Sequence, residues 1–181
     1  MSVITDTSRL SLVVMGVSGS GKSVVGAALA QRLKVPFGDA DDMHPEANIA
    51  KMSAGHPLDD ADREPWLMGI GDWLAARPQG AVIACSALKH AYRDILREHA
   101  PGVRFVHLDG SHEVIARRQA SRPGHFMPPS LLGSQFATLE PLGPDEDGIV
   151  VDVTRSIDEI VDEAATRLLS EKPSHDSEER A

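Results

Sequence analysis

Apolar residues along this chain gather into short runs, and the stretches between them carry helical spacing. Residues 10–15 form an apolar, β-branched run that predicts a strand buried on both faces. A glycine-rich turn follows at 16–21, and 22–34 places Val25, Ala28, Leu29 and Leu33 on one helical face. Three further strand-like runs occupy 81–85, 103–108 and 149–153, with helix-like stretches at 89–99 and 111–122 between them. The last helix is the most clearly signalled. Ser156 and Glu159 have capping-box spacing, and Ile157, Ile160, Val161, Ala164, Ala165, Leu168 and Leu169 make its apolar face. Strands that alternate with helices predict a parallel sheet covered on both sides. Two stretches interrupt the rhythm: 38–79, where only helix-like segments at 45–54 and 60–76 appear, and the irregular 121–142. No internal repeat is visible.

Composition narrows this picture. The chain has 181 residues, 41% hydrophobic and 25% charged, which suits one globular domain over 10–170. Residues 1–9 read as a flexible N-terminus and the polar 171–181 as a disordered tail. A net charge of -9 argues against a general nucleic-acid binder, which needs Lys and Arg for phosphates. Cys85 is the only cysteine, so no internal disulfide forms. No apolar run of membrane length and no leader pattern is present, and the expected location is cytoplasmic.

The sharpest chemistry lies in Gly16-Val17-Ser18-Gly19-Ser20-Gly21-Lys22-Ser23, which fits G-x-x-x-x-G-K-[ST] between a strand and a helix. Glycines let backbone N–H groups turn inward around phosphate oxygens, and the helix N-terminus adds positive potential. Lys22 can bridge the outer phosphates and the Ser23 hydroxyl can join a Mg2+ shell. The cofactors implied are ATP and Mg2+. A GTPase would be expected to show an N-K-x-D element, which this chain lacks. A motor or transport ATPase would end a strand in Asp, whereas 81–85 leads into Cys85-Ser86-Ala87. The chain has the size of a small-metabolite or nucleotide kinase.

Asp39 and Asp41 follow the loop and its helix at D-x-D spacing, so on extended backbone both carboxylates face one way. One can hold Mg2+ while the other accepts the proton of an attacking hydroxyl. The same acids would equally serve as a helix-capping turn before Pro45. The histidines show no zinc-ligand spacing.

The sequence resembles gluconokinases of the short P-loop type from about residue 12 to residue 153. The likeness is carried by His44-Pro45, Asn48, Lys51-Met52, Pro57-Leu58-Asp59-Asp60-Ala61-Asp62-Arg63 and Pro65-Trp66-Leu67. It continues through Cys85-Ser86-Ala87-Leu88-Lys89, Tyr92-Arg93-Asp94, Leu96-Arg97, Arg122 and His125-Phe126. It ends in Leu131-Leu132, Ser134-Gln135-Phe136 and Leu139-Glu140-Pro141. The departures from the family pattern are Ala40, where a glycine is common, and Leu142, where a second proline often stands.

The resemblance implies transfer of the ATP γ-phosphate to the 6-hydroxyl of D-gluconate. The fold it implies is an α/β P-loop kinase sandwich like the nucleoside monophosphate and shikimate kinases. That fold has a five-stranded parallel sheet, helices on both faces and a mobile lid, here about 117–142. The fifth strand would fall near 35–37, which the hydrophobic pattern alone does not show. Relatives with this resemblance are commonly homodimers. A kinase for another small hydroxy acid such as shikimate, or a nucleotide-binding module without turnover, are the competing readings. Against shikimate stands the Cys85-Ser86-Ala87 run, where those kinases usually place a glycine-rich segment.

Site residues follow. Arg63 is the candidate cation for the gluconate carboxylate, with a surface ion pair to Asp59 or Asp60 as its alternative. By analogy with the shikimate kinases, Asp41 contacts the accepting hydroxyl and Asp39 the Mg2+ shell, although the two could exchange roles. His44 and Lys51 are further pocket candidates. Ser86 and Lys89 lie at the C-terminal end of a central strand, where open parallel sheets bind ligands. Arg117, Arg118 and Arg122 form a basic face that is either solvated or matched to ATP phosphates. The resemblance favours Arg122 on the phosphates, Arg117 near the adenine, His125 on either substrate and Gln135 on gluconate. It places the adenine near residues 153–155. Trp66 and Trp73 read as core anchors.

Overall fold

The structure is a computed structural model that describes residues 10–121 and 129–170. The expectations for 1–9 and 171–181, and for Arg122 and His125, therefore lie outside the described residues. Five strands form one sheet: β1 (Ser11–Met15), β2 (Phe37–Asp39), β3 (Ala81–Ala84), β4 (Arg104–Asp109) and β5 (Gly148–Asp152). Their order is β2-β3-β1-β4-β5, and every pairing is parallel. β1 lies at the centre, with Leu12 opposite Val82 on one side and Arg104 on the other. The α/β sandwich expected from the resemblance is the one observed.

Among the described residues seven α-helices connect and cover the strands: α1 (Lys22–Leu33), α2 (Glu46–Ser53), α3 (Asp60–Ala75), α4 (His90–His99), α5 (His112–Ala120), α6 (Pro129–Thr138) and α7 (Ile157–Ser170). Alternate β1 residues feed two separate cores, which is why the strand reads as a continuous apolar run. Leu12 and Val14 join Leu29, Val106, Val151, Ile160 and Ala164 beneath α1 and α7. Val13 and Met15 join Ile83, Phe105, Leu67, Ile70 and Leu96 beneath α3 and α4. Each fully buried Leu or Ile contributes about 1.5–3 kcal/mol of transfer free energy. Trp66 is buried in the second core and Trp73 packs at its edge, as anchors. Among the described residues, no helix is long and apolar enough to cross a membrane.

Two local expectations shift. The fifth strand is Phe37–Asp39, not 35–37. Lys34 takes a left-handed conformation (φ 58°) and Val35 N–H returns to Ala30 O at 3.0 Å, so 34–35 belong to the end of α1. The strand is also masked in the hydrophobic pattern by Gly38 and Asp39. At α7, Ser156 Oγ accepts the Glu159 N–H (3.2 Å), but the Glu159 carboxylate takes the Ser156 hydroxyl (2.9 Å). A full capping box occurs instead at α3, where Asp59 and Asp62 exchange backbone-to-carboxylate bonds of 2.7 and 2.9 Å.

Candidate active site

β1 delivers the glycine loop to the C-terminal edge of the sheet, and α1 carries it away. Gly16 begins the turn at φ 150°, and a Cβ there would stand 2.7 Å from Ser20 Oγ and 2.9 Å from the Leu108 carbonyl. Only glycine fits both the conformation and the approach. Gly21 ends the loop as the N-cap of α1 and makes no side-chain cap bond, which leaves that helix start open. Ser20 Oγ is buried under the loop without a hydrogen-bond partner among the described residues.

A cavity of about 280 Å³ opens over this loop. Ser18, Gly19, Gly21, Lys22 and Ser23 form its floor, Asp39 and Asp41 one wall, and Ala84, Cys85 and Ser86 another, with Gln135 reaching in from α6. Lys22 Nζ donates to the Val17 carbonyl at 3.0 Å. Burial pulls the Lys22 ammonium below its usual range, while Asp41, Cys85 and Asp39 act in the opposite direction.

The two carboxylates are held differently. Asp39 lies at the end of β2 and caps the 3-10 turn Ala40–Met43. Its Oδ1 accepts the Asp41 N–H at 3.0 Å and its Oδ2 accepts the Ser23 hydroxyl at 2.7 Å. So the capping reading of Asp39 is observed, and the same carboxylate also borders the cavity. The Asp41 carboxylate makes no hydrogen bond or ion pair among the described residues and borders the cavity. The Ser23–Asp39 pair supplies hard oxygen donors beside Lys22, a donor set that suits Mg2+.

At the end of β3, the Ser86 carbonyl accepts the Gly16 N–H at 3.3 Å and so ties the second wall to the floor. Cys85 is buried, and burial pushes its thiol up to about 12. It is an inert wall and no nucleophile. On α6, Gln135 Oε1 accepts the Ser18 N–H at 2.6 Å.

A second group of predicted residues flanks the cavity without lining it. His44 stacks on Trp66 (4.2 Å between centroids, 13° between planes), and Trp66 Nε1 donates to the Ala40 carbonyl at 2.8 Å. Burial lowers the His44 pKa, with Asp41 raising it and Arg63 lowering it, so both groups stand near the ring. Arg63 donates from Nη1 to the Leu58 carbonyl at 2.8 Å and to Tyr92 Oη at 3.4 Å. Its alternative as a surface ion pair does not occur: Asp59 and Asp62 are engaged by Lys51 at 3.8 and 2.5 Å, and Asp60 by Lys89 at 3.1 Å. Tyr92 Oη also donates to Asp60 at 2.5 Å. Lys51 and Lys89 thus have carboxylate partners, and Arg63 has none among the described residues.

On α5, Arg117 is exposed and pairs with Glu113, while Arg118 donates to the Val153 carbonyl after β5. Pattern reading missed two features. Gln119 Nε2 donates to the Ser18 carbonyl at 2.9 Å, and nothing around position 119 signals it. Arg93, fully buried, forms a bidentate pair with Glu146 (2.6 and 3.0 Å) and donates to Ala87 O at 2.8 Å and Glu140 O at 3.0 Å. With Glu140 and Glu146 47 and 53 residues away, no local pattern could show this staple.

Comparison with known proteins is consistent with this geometry. The shikimate kinase family model matches residues 18–168. The gluconokinase of Gluconobacter oxydans (strain 621H) is 50% identical over 155 residues, covering 84% of this chain and 87% of that protein. The thermosensitive gluconokinase of Escherichia coli (strain K12) is 45% identical over 164 residues, covering 88% of each chain. A crystal structure of a gluconokinase from Sinorhizobium meliloti 1021 superposes with a TM-score of 0.81 at 52% identity, covering 90% of this chain and 94% of that one.

Proposed function

The chain belongs to the gluconokinases of the shikimate kinase family, and on that footing we propose that it transfers the γ-phosphoryl group of ATP to the 6-hydroxyl of D-gluconate. The products are 6-phospho-D-gluconate and ADP. The observation that carries this reading is one cavity in which Lys22, the Ser23–Asp39 pair and an unpaired Asp41 carboxylate meet.

The loop amides and the start of α1 bind the nucleotide phosphates, and Lys22 neutralises charge on the outer ones. One of its three N–H donors is held by the Val17 carbonyl, which leaves two for phosphate oxygens. Ser23 and Asp39 would hold Mg2+, whose chemistry is to offset negative charge on the phosphates. Asp41 receives the proton of the gluconate 6-hydroxyl as that oxygen bonds to the γ-phosphorus and the bond to the ADP oxygen breaks. Both Asp39 oxygens are already engaged, and this supports giving the proton to Asp41.

Arg63 grips the gluconate carboxylate, with His44, Lys51, Ser86, Lys89 and Gln135 offering polar contacts to the hydroxyl chain. The Asp60–Tyr92 bond holds Tyr92 against the Arg63 guanidinium. Arg122 on the phosphates, Arg117 near the adenine and His125 on either substrate complete the proposal, which rests for these residues on family resemblance. Exclusion of water is needed because hydrolysis competes with transfer.

An assay of ADP formation with gluconate, without it, and with shikimate in its place tests the reading. ADP that depends on gluconate and not on shikimate supports it. Equal ADP formation in all three overturns it.

A further inference from the structure

Ser18 is held on both sides by glutamines from two different helices. Gln119, on the last turn of α5, donates from Nε2 to the Ser18 carbonyl at 2.9 Å. Gln135, on α6, accepts the Ser18 N–H on Oε1 at 2.6 Å. Gln119 also lies flat against the loop, since a Cβ on Gly19 would meet its Cγ at 2.5 Å.

The consequence lies in the two peptide planes that flank Ser18. In a trans peptide the C=O and the following N–H point in opposite directions. Fixing the Ser18 carbonyl on Gln119 therefore turns the Gly19 N–H away from α5, on the stretch of loop that borders the cavity. Fixing the Ser18 N–H on Gln135 turns the Val17 carbonyl the other way, where it accepts Ser20 N–H at 3.2 Å and Lys22 Nζ at 3.0 Å. The plane between Ser18 and Gly19 would otherwise be cheap to rotate, because Gly19 sits at φ 81° with no side chain to resist. Rotation would present a carbonyl oxygen where an anion must bind, in place of an N–H.

We propose that Gln119 and Gln135 are positioning residues for nucleotide binding: they lock the two peptide planes around Ser18 so that the glycine loop keeps its N–H groups toward phosphate. Gln119 acts only through the loop. Gln135 does so in addition to any contact with the acceptor. The inference rests on the nucleotide half of the proposed function and is independent of the identity of the acceptor.

The test is calorimetric titration of the full chain with ADP and Mg2+, comparing the wild type with Gln119→Met and Gln119→Glu. Methionine keeps the length and the packing on Gly19 but cannot donate. Glutamate serves as a second, soluble variant without a donor on this half-exposed position. About tenfold weaker ADP binding is expected for both, the scale of one hydrogen bond and its geometry, with the gluconate KM and the thermal midpoint little changed. Wild-type ADP affinity in Gln119→Met overturns the inference. So does a fall in nucleotide affinity and gluconate affinity together with a lowered midpoint, the mark of a merely structural role. Should the wild type bind ADP yet fail to phosphorylate gluconate, the acceptor assignment fails while the effect of Gln119 remains measurable.

Discussion

Asp39 and Asp41 stand two positions apart, yet their surroundings differ. Asp39 is fixed by Ser23 and by the Asp41 amide, and Asp41 is left with a carboxylate that only the cavity can use. Asp41→Asn should therefore cut kcat about a hundredfold to ten-thousandfold while leaving ADP affinity nearly unchanged, as steady-state rates and titration would show. Arg63→Leu should raise the gluconate KM about tenfold to a hundredfold with little effect on ATP, because one charge-assisted contact to a carboxylate is lost. The glycine loop and the acid pair were legible in the sequence because their chemistry is written in consecutive residues. The roles of their neighbours were not. That Lys51 and Lys89 are committed to Asp59, Asp60 and Asp62 while Arg63 is not depends on how α2 and the start of α4 meet the start of α3, which no spacing records.

Helices and strands show the same division between local and distant signals. The helix expected over 22–34 is observed at Lys22–Leu33 with Val25, Leu29 and Leu33 buried on one face, and the one expected over 60–76 at Asp60–Ala75. β2 is three residues long with one large apolar side chain, too little pattern to stand out, and its discovery depended on family resemblance. The Arg93–Glu146 pair joins α4 to the loop before β5 and fastens the Ala87 carbonyl beside the second cavity wall. Both side chains are fully buried, so removing the Glu146 carboxylate strands the Arg93 guanidinium and also takes a partner from Arg97, 3.4 Å away. Glu146→Leu should cost about 3–5 kcal/mol in urea unfolding, far more than a surface ion pair such as Arg117–Glu113. The double replacement with Arg93→Met should recover much of that loss.

At the scale of the whole molecule, a histidine buried in the central sheet makes stability sensitive to acid. His107 on β4 is buried with Nδ1 unpartnered among the described residues. Burial holds its imidazole below the usual range, opposed by Asp109 and reinforced by Arg93. In the unfolded chain His107 would titrate near ~6.5, so the unfolded state binds the proton first and stability falls as pH drops through that value toward the lower folded one. His107→Leu should flatten the acid-side slope of unfolding free energy between about pH 7 and 5, measured by denaturant titration at each pH. The parallel sheet brings the loop after β1, the acids at and just past the end of β2 and the serine after β3 to one edge, which is where the proposed transfer would take place. The transfer itself is most directly tested by phosphorus and carbon NMR of gluconate incubated with the enzyme, ATP and Mg2+. The account predicts a new phosphomonoester on carbon 6, formed by the wild type and nearly abolished in Asp41→Asn. Phosphate on another carbon, unphosphorylated gluconate, or full turnover by Asp41→Asn would contradict it.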